Sequence, residues 1–189
     1  MQINNRNIYL FGPINSTNVS EAISAILELT MEDDTMESQL TSYERDPIQI
    51  FINTPGGDVY HAFGLCDVIM HSTTPIHGIA IGKCMSAGMP IFAACHHRIS
   101  YPNTTFMWHM LSTSLEDQSL HNIIATSEEC QRIQSVANSI MTSRSLIDND
   151  MIASCIAHDW YIDAATAHKL QLIDEMVEGH THTKAQEEE

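Results

Sequence analysis

The stretch Pro47–Gly82, "PIQIFINTPGGDVYHAFGLCDVIMHSTTPIHGIAIG", carries the pattern that decides the fold. "IQIFIN" is an apolar run of strand length that stops at the Pro55-Gly56-Gly57 turn. "VYHAFGLCDVIMHS" then reads as a helix, with Val59, Phe63, Cys66 and Met70 in register. "PIHGIAIG" is a further strand. Strand, turn, helix, strand at this spacing predicts an α/β fold with a mostly parallel sheet.

The same alternation extends outward in both directions. Upstream, "NIYLFG" reads as a strand, and "NVSEAISAILELT" as a helix with Val19, Ala22, Ile23, Ile26 and Leu27 on one stripe. "MEDDTMESQLTSYERD" is polar and acidic and is expected to form an exposed loop. Downstream, an apolar helix is expected from Ser86 to about Cys95, followed by two short strands in "HRISYP" and "TTFMWHML". The longest helical pattern runs from about Leu115 to Arg144, with Leu120, Ile123, Ile124, Ile133, Val136, Ile140 and Met141 on its apolar face. A shorter helix capped by Asp148 or Asn149, a strand "WYI", a helix capped by Asp163 and the closing "LIDEMV" complete residues 1–178 as one expected domain. Residues 179–189 form a polar tail expected to be disordered.

Composition excludes several functions. With 43% hydrophobic residues the 189-residue chain can bury a core, yet no apolar run is long enough to span a membrane. The N-terminus lacks a basic region followed by an apolar segment, so secretion is not expected and the cytoplasm is. Five cysteines without CxxC spacing (66, 84, 95, 130 and 155) suit free thiols in a reducing compartment. Twenty-four acids against 8 bases, a net charge of −16, argue against nucleic acid, which needs clustered Lys and Arg.

Ser86 is a lone hydroxyl where a strand turns into a helix. Such a turn presents a side chain at a sheet edge beside free helix amides, which suits a nucleophile. It would equally suit a helix cap, and both readings stand. Cys84 breaks the G-x-S-x-G pattern of the common hydrolase elbow. A serine nucleophile needs a base. His109 sits in the apolar "FMWHML", an unusual place for an imidazole, although a half-buried structural histidine fits there too. Asp159, in "AHDWYIDAA", is expected to be partly buried and could orient an imidazole or simply end a helix. Gly56-Gly57 could bring bare amides to a bound carbonyl, or merely turn the chain. His96-His97 and His180-x-His182 carry no further ligand at a recognised spacing, so no metal site is expected.

In order and spacing, four segments resemble one family. They are "INTPGGDVYHAFGLCDVI", "GKCMSAGMPIFAA", "YPNTTFMWHML" and "DWYIDAATAHKLQLIDEMV". The family is ClpP, the proteolytic subunits of the ATP-dependent Clp protease, and the resemblance covers about Ile8 to Val177. It implies a ClpP/crotonase-like spiral of β-β-α units with a protruding handle helix over about residues 112–145. It implies a serine endopeptidase with Ser86 as nucleophile, His109 as base and then acid, and Asp159 as the group orienting His109. Gly57 and Ala87 would supply oxyanion amides, and Gly57, Asp58 and Val59 would pair with an extended substrate. The family assembles as two stacked rings of seven enclosing the active sites, and an AAA+ unfoldase feeds them. No cofactor is implied for the chain itself, since only the unfoldase uses ATP.

The chain also departs from that family. The axial loop and first helix at the N-terminus are expected to be missing, as in compact phage-encoded members. Gln49 is polar where the unfoldase groove tends to be aromatic. After His109 the chain reads "MLSTSLED" in place of Gln-Pro and a glycine-rich strand, and Ala157-His158 replaces an acid–Arg pair. Lys83 and Ala87 replace a common Gln and Met. Three other readings follow: a non-catalytic structural subunit of a mixed ring, a head-maturation protease working without an unfoldase, and a crotonase-like acyl-CoA enzyme.

Overall fold

The computed structural model describes residues 6–113, 119–155 and 158–178; the expected polar tail lies outside these. Strands and helices alternate as β1 (Asn7–Phe11), α1 (Ser16–Gln39), β2 (Ile48–Thr54), α2 (Val59–His71), β3 (Ile76–Met85), α3 (Gly88–Ala94), β4 (His97–Ser100), β5 (Thr105–Trp108), α4 (Leu120–Thr142), α5 (Asn149–Cys155), β6 (Trp160–Asp163), α6 (Ala164–Lys169) and β7 (Glu175–Met176). The main sheet runs β1-β2-β3-β4-β7 and is parallel throughout.

β3 is longer than expected and serves two ladders. Its first half, His77–Ala80, pairs with β4, and its second half, Lys83–Met85, pairs with β5. Gly82, at φ 71°, marks the change of neighbour. β5 in turn pairs antiparallel with β6. The sheet therefore turns away from its main plane at the C-terminal end of β3. The apolar residues of β2 alternate inward, with Ile48, Ile50 and Ile52 fully buried in one core cluster that also holds Ile26, Leu65 and Ile69.

Helices α2 and α1 differ from their sequence reading. α2 buries Ala62, Leu65, Cys66 and Ile69, while Met70 is exposed. The helix is apolar nearly all round, so hydropathy left its phase ambiguous. α1 runs on through most of the acidic segment, to Gln39, where a loop was expected. Its buried positions are Val19, Ala22, Ile26, Leu29 and Asp33, so the helical spacing continues with a carboxylate at the last place. Asp33 accepts from both guanidinium nitrogens of Arg6 (3.0 and 2.6 Å), from Tyr43 (2.5 Å) and from Thr74 (2.6 Å).

Burial pushes the Asp33 pKa up, but these hydrogen bonds and the Arg6 charge outweigh it and hold the carboxyl below its usual range. A depressed pKa contributes stability that is present above the unfolded value, near pH 4, and lost as pH falls through the folded one. Asp33→Asn leaves Arg6 largely buried without its charge partner and is expected to cost about 3–5 kcal/mol. Urea unfolding at pH 7 checks this. The variant should also lose part of the acid dependence of stability below pH 4.

α4 is packed unevenly. Its buried residues, Ile133, Gln134, Ala137 and Met141, all lie in the C-terminal half. Leu120 and Ile124, expected on its apolar face, are 73% and 51% exposed. The first half thus stands clear of its own core.

Candidate active site

The nucleophile candidate is built by the end of β3. Ser86 follows Met85 directly and has φ 50°, a left-handed conformation that an L-residue adopts only at a cost of about 1–3 kcal/mol. Its amide donates to the Met107 carbonyl at 2.8 Å, which fixes the turn to β5. The capping alternative does not hold. The cap position of α3 is Ala87, and no side chain caps the helix.

β5 carries the partner. Met85 pairs with Met107, and His109 lies just beyond the last β5 residue. Phe106 and Trp108 turn into the core while Met107 and His109 take the half-buried positions between them. His109 Nε2 is 2.7 Å from Ser86 Oγ. With Nε2 unprotonated, the serine hydroxyl donates to it, which is the arrangement a general base requires.

Asp159 is placed differently from its sequence reading. It is exposed, not partly buried, and among the described residues it makes no hydrogen bond or ion pair with His109. Its backbone position is informative all the same. The β5–β6 register pairs Thr105 with Asp163, Phe106 with Ile162, Met107 with Tyr161 and Trp108 with Trp160. The ladder ends there, and His109 and Asp159 are the residues that adjoin its last pair, Trp108 and Trp160.

The glycine turn lies against the serine. Gly56 has φ 96°, and a Cβ there would sit 2.6 Å from Ser86 Cβ and 3.0 Å from the Ala87 nitrogen. Gly57 bridges Ile14: the Ile14 amide donates to Gly56 O (2.9 Å) and the Asp58 amide to Ile14 O (3.0 Å). In such a parallel bridge the amide of the central residue points away from its partner, so the Gly57 N–H is not used by Ile14. Asp58 is more committed. Its carboxylate accepts from the Tyr60 and His61 amides and caps α2, while its carbonyl accepts from Ala62. A groove of about 410 Å³ opens beside this turn, lined by Val59, Tyr60, Leu111, Ala125, Cys130 and Ile133 among others.

Comparison with known proteins adds to this geometry. Residues 1–180 match the family described as Clp protease. The chain belongs to the Clp protease family. As a member it is a serine-type peptidase. Among similar proteins is the ATP-dependent Clp protease proteolytic subunit 2 of Treponema pallidum, 26% identical over 134 residues, covering 70% of this chain and 67% of that protein. Another is the ATP-dependent Clp protease proteolytic subunit of Pleurastrum terricola, 27% identical over 171 residues, covering 89% and 82%. A solved structure of a ClpP1 variant from Listeria monocytogenes has the same fold, with a TM-score of 0.78, 22% identity and 93% of each chain covered. Against the Clp protease pattern, one surface is more aromatic than the sequence suggested. β1 sets Tyr9 and Phe11 beside Phe51 of β2, Tyr9 stacking on Phe51 with ring centroids 5.3 Å apart. Both are exposed, Tyr9 at 56% and Phe11 at 49%. The inside–outside alternation of "NIYLF" carried that signal, which a reading of β2 alone missed. Gln49 lies in the same row, opposite Asn7. Ala157 lies outside the described residues. No described helix is long and apolar enough to cross a membrane.

Proposed function

We propose that this chain hydrolyses peptide bonds of unfolded proteins and short peptides through an acyl-enzyme on Ser86, inside a ring chamber of its own copies. The observation that carries the reading is the 2.7 Å approach of His109 Nε2 to Ser86 Oγ, on a serine held in left-handed backbone. Attack forms the Oγ–carbon bond as the hydroxyl proton passes to His109. The amides of Gly57 and Ala87 receive the negative oxygen. The tetrahedral centre collapses, the C–N bond breaks, and His109 gives its proton to the leaving amine. Water then attacks the ester, its proton going to His109 and on to Ser86 Oγ. Asp159 orients the imidazole in the reacting state. The substrate runs as an added strand along Gly57, Asp58 and Val59, the Asp58 main chain being largely engaged already.

Hydroxyl, imidazole and carboxylate suffice for this chemistry, so the chain uses no cofactor; ATP belongs to a partner unfoldase. The exposed Leu120 and Ile124 of α4 suit burial between two copies, as two stacked rings of seven would provide. The face of Tyr9, Phe11 and Phe51 suits docking of an AAA+ unfoldase. The odd number of cysteines without paired spacing suits work in the cytoplasm. A second reading, a subunit whose triad closes only with a partner, draws on Asp159, which is exposed and makes no bond to His109 among the described residues.

The test is a fluorophosphonate probe on the native-sized assembly, read by intact mass. One adduct per chain, absent from Ser86→Ala, is the expected result. No adduct on an assembled particle would overturn the reading in favour of a partner-dependent or structural subunit.

A further inference from the structure

His109 lies between two fixed points. On one side Trp108 is the last residue of β5 and pairs with Trp160. On the other, the Leu111 amide donates to Gln134 Oε1 on α4 at 2.8 Å. Only Met110 separates His109 from this second anchor. Leu111 lies outside the ladder, so a side chain does here what a neighbouring strand does for β5.

Gln134 is suited to that task and out of place otherwise. It is 8% exposed, and with Ala137 and Met141 it occupies the buried stripe of α4 at helical spacing. An apolar residue would satisfy the packing. It would leave the part-buried Leu111 amide without this acceptor. The glutamine's own orientation is determined: Leu111 offers only a donor, so Oε1 must face it. Nε2 then donates to Asn138 Oδ1 at 3.0 Å, one turn along the helix. A second tie from α4 reaches the opposite wall of the groove, where Tyr60 donates to Glu129 Oε1 at 3.0 Å. That bond is exposed, and Arg132 shares the same carboxylate, so it contributes little.

We propose that Gln134 is a positioning residue for His109, holding the imidazole against Ser86 from α4 through the Leu111 amide. The inference rests on Ser86 and His109 being the reacting pair. Removing the acceptor frees the segment after Trp108, and a displacement of about 1 Å at a base costs up to about 100-fold in rate.

Gln134→Met keeps the volume and removes the acceptor. Gln134→Glu keeps an acceptor and loses the donor to Asn138. We expect Gln134→Met to lower kcat for a short fluorogenic peptide by about 10- to 100-fold with KM within about threefold, and Gln134→Glu to restore kcat to within about threefold. The ¹⁵N shift of the His109 imidazole should change in Gln134→Met and return in Gln134→Glu. Wild-type kcat in Gln134→Met, or equal loss in both variants, overturns the role. Should Gln134→Met fail to fold, amide exchange in the unsubstituted protein decides: Leu111 must be protected to the level of Phe106, and a freely exchanging Leu111 amide overturns the proposal. The two inferences separate cleanly. An unsubstituted protein that takes no fluorophosphonate defeats the hydrolytic reading, while the exchange and imidazole measurements still report on Gln134. A protein labelled at Ser86, with Gln134→Met labelled equally fast, defeats the Gln134 role alone.

Discussion

Ser86→Ala is expected to reduce peptide cleavage by about 10⁴- to 10⁶-fold while the assembly stays intact. The change deletes one oxygen. It leaves the amide that bonds Met107 and the backbone conformation at φ 50° in place, so stability should move little. What disappears is the atom 2.7 Å from His109 Nε2, and with it the covalent route. Nucleophile and base act as a unit. The double variant with His109→Ala should therefore be no slower than either single one. Residual turnover, from the glycine-turn amides and substrate binding alone, is expected at about 10³-fold over water. Steady-state cleavage of a fluorogenic peptide, with sedimentation to monitor the particle, checks all three statements. Cleavage by Ser86→Ala above about a hundredth of the unsubstituted rate would remove Ser86 as nucleophile.

The second large effect is expected at Gly57. Its φ of 152° disfavours any side chain, and an added Cβ would lie 2.3 Å from Ile14 O and 2.7 Å from Ile14 N, both backbone atoms that cannot rotate aside. Gly57→Ala must break the bridge to Ile14 and move the turn. Because Gly56 packs on Ser86 and Asp58 caps α2, that movement reaches both the serine and the helix behind it. We expect kcat to fall about 10²- to 10³-fold, the loss seen when one oxyanion donor is displaced, together with about 1–3 kcal/mol of stability. A melting curve and a kcat measurement on the same preparation check it. An unaltered melting temperature with full activity would mean that the turn does not approach Ile14 and Ser86 as described.

The alternating elements were legible in the sequence because most hydrophobic positions follow one period or the other. The strand–turn–helix containing Gly56-Gly57 was legible from its punctuation, and Asp163 as a cap from its place before "AATAHK". The remainder failed for identifiable reasons. The far end of α1 is marked by Asp33, a buried acid, and hydropathy reads an acid as solvent-facing whatever its partners. Those partners, Arg6, Tyr43 and Thr74, are scattered along the chain. Ser86 could be singled out but not assigned, because cap and nucleophile look alike until His109 is in place. Gln134 gave no signal at all, since a glutamine on a helix is ordinary until its acceptor oxygen is seen to face a loop amide. Asp159, expected to be partly buried, is exposed. It stands immediately before β6, at the end of a ladder and not within it.

The division of β3 between two ladders has a consequence for the nascent chain. β1 to β4 can pair as soon as residues up to Ser100 have left the ribosome. The strand that flanks β5, Trp160–Asp163, emerges after all of these. The β1–β4 sheet can thus be in place before the strand that braces the segment carrying His109, which makes the approach of His109 to Ser86 one of the later features of the fold to be fixed.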